Sequence, residues 1–157
     1  MEKILNIEEI NNLNLSNFGS DSGSKGASMG MAGMLNALGG YGSYDGFVLT
    51  TSRHEYHVLI DNGQSCCENW GYMISEDDTD DFLNSNLLDV RLTDTALNQK
   101  KIDEDFEFGL DEGSIQFVDF VTDTGVFQLA VYNEHNGYYG HSIIVAKDDE
   151  ILLSDTI

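Results

Sequence analysis

The chain has no proline, where ordinary usage in 157 residues would supply about eight, and only 7 Lys and Arg stand against 28 Asp and Glu. The shortage of cations leaves a formal net charge of −21. Nucleic-acid affinity comes mainly from neutralising phosphates with Lys and Arg, so this balance argues against direct binding of DNA or RNA. It opposes docking on an anionic membrane for the same reason. No apolar run approaches the 18 or so residues of a transmembrane helix. Met1-Glu2-Lys3-Ile4 lacks the basic start and apolar core of a signal peptide. The two cysteines, Cys66 and Cys67, are adjacent and make no secreted disulfide framework. The expectation is a cytoplasmic protein, within a bacterial host, whose charge favours a basic partner.

Apolar residues make up 41% of the sequence, with 8 Phe, 7 Tyr and 1 Trp. That is enough to offset the ordering entropy of a fold. Ile4, Ile7 and Ile10 recur at a three-residue spacing that predicts a short N-terminal helix. Residues 19–46 hold most of the 16 glycines. Small residues and methionines over 27–38 predict a marginal helix there, since each Gly costs a helix about 1 kcal/mol. Residues 1–46 therefore read as a helical, Gly-rich and partly flexible segment, and 47–157 as a β-rich acidic core domain. Strands are predicted at 47–51, 55–60, 66–74, 88–92, 114–121, 126–132, 142–145 and 151–153, with a short helix near 80–84. The expected fold is α+β and β-dominated: one antiparallel sheet of about seven strands behind the N-terminal helical segment.

Asn62-Gly63 is a strong hairpin signal, because both central residues of a type I′ turn need positive φ. A two-residue loop there would pair Leu59 with Cys66 and His57 with Glu68. Leu59, His57, Cys66 and Glu68 would then share one face. This suggests a zinc site of one thiolate, from Cys66 or Cys67, with His57 and a third ligand such as His141 or His135; adjacent cysteines on a strand point to opposite faces, so both reach one metal only at a β-bulge. The spacing departs from the usual Cys-x2–4-Cys and His-x3–5-His of structural zinc. The plainer alternative is one buried and one exposed cysteine.

Acidic runs carry the other candidate site: Glu76, Asp77, Asp78, Asp80 and Asp81; then Asp103, Glu104, Asp105, Glu107, Asp111 and Glu112. Neither run is an EF-hand loop, because Phe82 and Phe108 stand where that loop needs glycine. As a partner surface they are more suitable. Carboxylates on alternate strand residues lie roughly 7 Å apart, comparable to successive phosphates along one DNA strand. No P-loop or His-Glu-x-x-His motif occurs. A Cys–His pair in acidic surroundings is poorly placed to form a thiolate. The expectation is a protein that is not an enzyme.

Asn62-Gly63-Gln64-Ser65-Cys66-Cys67-Glu68 and Asn136-Gly137-Tyr138-Tyr139 resemble the two landmarks of an uncharacterised family of small acidic proteins of phages and bacteria. That family typically has His where Asn62 stands and Ser where Gly140 stands. The resemblance spans about residues 47–145 and implies no particular activity. In overall character the chain also resembles phage anti-defence proteins, in particular anti-CRISPR inhibitors of Cas9. That likeness implies binding to a basic, nucleic-acid-handling surface of Cas9 and blockage of target-DNA loading. The alternatives are a zinc-binding structural or sensor protein and an immunity protein for a basic nuclease.

Overall fold

Runs such as Glu-Tyr-His-Val-Leu-Ile-Asp and Ser-Ile-Ile-Val-Ala-Lys are dominated by β-branched and aromatic residues, which fit a pleated surface better than a helix. In the computed structural model both form strands. The structure describes residues 1–14, 43–63, 69–74, 78–100, 104, 114–134, 141–148 and 150–157. Among them are nine strands: β1 Ile4–Asn14, β2 Ser43–Thr51, β3 Glu55–Asp61, β4 Asn69–Ile74, β5 Leu87–Thr93, β6 Ser114–Thr122, β7 Val126–Glu134, β8 Ser142–Lys147 and β9 Glu150–Thr156. They make two sheets, ordered β1-β2-β3-β8-β9 and β4-β7-β6-β5.

This arrangement corrects the expected fold class. The predicted N-terminal helix is a strand, and the single sheet of about seven strands is two antiparallel sheets of five and four. Three isoleucines lose side-chain freedom in a helix, and the asparagines beside them favour turns, so the three-residue spacing had little intrinsic helical support. The first residues are also held as extended chain by backbone bonds. Ile4 N–H donates to Ser85 O (2.9 Å), Asn84 N–H to Ile4 O (2.8 Å) and Leu87 N–H to Glu2 O (2.7 Å). The predicted helix over 27–38 lies outside the described residues.

Two compact units result. One comprises Met1–Ile4, Gln64–Gly140 and Ile157; the other comprises Leu5–Gly63 and His141–Thr156. The five-stranded unit is thus discontinuous in sequence. Its central strands β3 and β8 pair antiparallel, with Leu59 opposite Ile144 and His57 opposite Ala146. Both are buried over most of their length, as expected of inner strands covered on two faces. On one face Tyr44, Leu59, Ile144 and Ala146 form a core, with Ile10 and Ile151 packed against it.

In the four-stranded unit Phe120 and Phe127 are directly opposite across β6 and β7. Their rings stack at 4.7 Å, and Phe82 lies 4.8 Å from Phe127. Each such pair adds about 0.5–1.5 kcal/mol beyond the area buried. On the opposite face Phe117 and Ala130 pack with Met73, Ala96 and Ile115.

The expected β3–β4 hairpin does not form. β3 pairs with β2 and β8, and β4 pairs with β7 in the other sheet. Neither Asn62 nor Gly63 has positive φ, so the type I′ turn that the dipeptide suggested is absent. Asp61 Oδ1 accepts from Gly63 N–H (2.9 Å) and Asp45 Oδ1 accepts from Asn62 Nδ2 (2.9 Å). The first is the bond of an Asx turn, and together they stabilise the chain as it leaves β3.

Candidate functional site

Short polar residues before a bulky aromatic favour a capped turn, and 78–82 forms one. Thr79–Phe82 is a 3-10 turn capped by Asp78, whose Oδ1 accepts from Asp80 N–H at 2.9 Å. Leu83 N–H returns to Asp80 O (3.0 Å), and the Ser85 hydroxyl donates to Phe82 O (2.6 Å). Asn84 takes a left-handed φ of 67°, which its short polar side chain tolerates. The Phe82 ring sits on Phe127 of the sheet, while Asp78, Asp80 and Asp81 are exposed. The apolar side chain thereby fixes the turn that carries the charges.

A second clamp holds the neighbouring chain. Asn86 donates its side-chain amide to Asp123 Oδ2 (2.6 Å) and its backbone N–H to Asp123 Oδ1 (2.9 Å). These bonds hold the Asp123 carboxyl below its ordinary pKa, the side-chain bond contributing most. The acidic turn is therefore a presented feature of the four-stranded unit rather than a bare charged loop.

The remaining residues of the predicted surface divide as follows. Glu104 is exposed and lies 3.6 Å from Lys100 Nζ. Glu76, Asp77, Asp103, Asp105, Glu107, Asp111 and Glu112 lie outside the described residues. Of the predicted metal set, Cys66 and Cys67 lie outside as well. His57 is opposite Val48 and Ala146, not Glu68. The β3–β4 hairpin that was to bring it beside Cys66 is absent. Among the described residues no group of three or more His, Cys, Asp or Glu side chains could hold a metal ion. Likewise, among them no helix is long and apolar enough to cross a membrane.

Sequence reasoning missed a pair of histidine–carboxylate contacts at the start of β3. His54 Nδ1 is 2.8 Å from Asp148 Oδ2, and Glu55 N–H donates to Asp148 Oδ1 at 3.0 Å. These interactions, the Glu55 bond first, hold the Asp148 carboxyl below its usual pKa. The partners are 94 and 93 residues apart in sequence, and nothing local announces them. His57 is 8% exposed, with Nε2 3.1 Å from Glu55 Oε1 and Nδ1 buried without a partner. Glu55 is acceptor-only when ionised, so Nε2 carries the hydrogen. A proton added at Nδ1 would be buried unpaired. Burial lowers the His57 pKa against the opposing charges of Glu55 and Asp148.

This has a measurable consequence. A histidine whose folded pKa lies below its unfolded value of 6.5 contributes stability that is complete above 6.5. That stability is lost as the pH falls from there toward the folded pKa. Urea midpoints should fall between pH 6.5 and roughly 5, where Asp and Glu remain mostly ionised. The His57→Gln variant should show a flatter profile over the same window. An unchanged profile would assign the dependence to another group.

Comparison with known proteins adds one match. Residues 3–145 match the family model described as "Domain of unknown function (DUF7448)". That span is most of the chain, which therefore belongs to this family. No curated protein and no solved structure matches.

Proposed function

We propose that this member of the DUF7448 family acts by binding rather than catalysis, its acidic surface occupying the cationic nucleic-acid groove of a partner protein. In its specific form the proposal is a phage anti-defence protein of the anti-CRISPR type. Working in the host bacterial cytoplasm, it would bind a basic surface of Cas9 and block target-DNA loading. The observation that carries the reading is the turn bearing Asp78, Asp80 and Asp81, exposed and anchored by Phe82, on a chain of net charge −21. Fixed carboxylates lose little freedom on binding. The surrounding field speeds encounter with a positive groove and discriminates against acidic surfaces.

The test is a cleavage assay with guide-loaded Cas9, with the protein added before or after target DNA and complex formation followed on a gel. Inhibition is expected only when the protein comes first. The triple variant D78K/D80K/D81K changes the charge by two at each position, from −21 to −15. It should bind about 100-fold more weakly with an unchanged circular dichroism spectrum. Full retention of binding by that variant would defeat the electrostatic reading. Absence of any complex would remove Cas9, leaving a basic nuclease neutralised by this protein as the partner class to test.

A further inference from the structure

Asn-Gly is the dipeptide most prone to lose its side-chain amide, because glycine leaves its backbone nitrogen unhindered for attack on the neighbouring carbonyl carbon. The chain has two, Asn62-Gly63 and Asn136-Gly137. At the first, both reacting groups are held by carboxylates. Gly63 N–H, the nucleophile, donates to Asp61 Oδ1 at 2.9 Å. Asn62 Nδ2, the leaving group, donates to Asp45 Oδ1 at 2.9 Å. Asp45 is opposite Ile60 in the β2–β3 ladder, so its grip on Asn62 depends on that pairing. Gly63 is exposed and open to water.

We propose that Asn62 is a deamidation site gated by Asp45. In the reaction Gly63 N gives up its proton, and the Asp61 carboxylate is positioned to accept it. The nitrogen then bonds to Asn62 Cγ, the Cγ–Nδ2 bond breaks, and ammonia departs with the proton. Water opens the resulting cyclic imide at either carbonyl, giving aspartate or isoaspartate. Net, one water is consumed and one ammonia released, with no change of oxidation state. While β2 and β3 are paired, Asp45 restrains the side-chain rotation that attack requires. It also disfavours protonation of the leaving group, since a carboxylate accepts hydrogen bonds and donates none. When this end of the ladder opens, the brake is released. The product cannot restore the contact: a carboxylate at position 62 would face Asp45 where an N–H donor had been, and like charges at that distance repel.

The test is peptide mapping by mass spectrometry after incubation of the full chain at neutral pH, with isoaspartate resolved from aspartate. Asn136 in the same chain serves as the reference for solution conditions. Deamidation at Asn62 should be at least about tenfold slower in the native protein than in the urea-unfolded chain, a factor matching one hydrogen bond to a charged acceptor. Asp45→Ala should recover most of that factor while the circular dichroism spectrum is retained. Asp45→Asn, which keeps an acceptor oxygen, should remain slow. A native rate equal to the unfolded rate would overturn the proposal. So would a folded Asp45→Ala variant as slow as the parent. Should Asp45→Ala fail to fold, Asn62→Asp decides separately: it should lower the urea midpoint, and a midpoint equal to the parent's would show that Asp45 does not hold Asn62 and overturn the proposal.

Discussion

Gly46→Ala should unfold the five-stranded unit or leave it too weak to survive mild denaturant. Gly46 lies within β2 opposite Leu59, at φ +152°. A Cβ there would stand 1.8 Å from Val58 O and 2.9 Å from Val58 C. Those are backbone atoms of β3, which is paired on both sides, to β2 and to β8. They can move only if the centre of the sheet moves. Strained φ alone costs about 1–3 kcal/mol, and displacing an inner strand brings the total to about 4 kcal/mol or more. That is a large share of an ordinary domain's 5–15 kcal/mol. Gly63→Ala is the contrast, since among the described residues its Cβ would meet only the Asp61 carboxylate oxygen, at 3.2 Å. It should stay within about 1 kcal/mol of the parent. Urea titration followed by circular dichroism measures both. Equal midpoints for the two variants would mean that β2 and β3 are not held at this separation.

The second large effect is expected at Gln128, 1% exposed in β7. Its Nε2 donates to Asp119 Oδ1 (2.7 Å) and to Thr95 O (2.9 Å), and its Oε1 accepts from Leu97 N–H (2.9 Å). One amide therefore ties the chain after β5 to the sheet and meets the buried carboxylate of Asp119, whose other oxygen is 3.4 Å from Arg91 Nε. Gln128→Ala would take this partner from the buried Asp119 Oδ1 and from the part-buried Thr95 O and Leu97 N–H. At about 1–3 kcal/mol for each orphan, a loss of about 3–5 kcal/mol is expected.

Gln128→Glu separates charge from shape. It keeps the outline but sets a second carboxyl against Asp119. Burial and the like charge raise the introduced group's folded pKa above its unfolded value of about 4.3. A raised folded pKa means that the folded state holds the extra proton more tightly. The variant should therefore gain stability as the pH falls from 7 toward 5, opposite in sign to the His57 dependence. A pH-independent loss would show that only the hydrogen bonds matter.

How much of this was legible in sequence depends on the range of the interactions involved. Strand positions such as 55–60 and 114–121 were visible because β-branched and aromatic residues crowd there, and they agree with β3 and β6 to within a residue or so. The site was legible in part. The acidic run through Asp78, Asp80 and Asp81 is plain, and the anchoring of its turn on Phe127 is not, because Phe127 lies far along the chain. His57 was noticed for its chemistry, and it stands opposite Val48 and Ala146 where a hairpin partner, Glu68, was expected. A dipeptide preference for a tight turn gave way to the pairing of β3 with a strand more than 80 residues later.

By itself the sequence determined the net charge, the strand-forming segments and the shortage of basic groups, all of which are sums or short-range properties of the residues. Which strands share a sheet, that Ile4–Asn14 is extended, and that Asp148 meets His54 from 94 residues away were decided only by the tertiary structure. The reason is physical. A strand satisfies half its backbone groups through a neighbour, and any strand of matching pattern can serve. The choice among partners is made by the packing and hydrogen bonding of the whole chain.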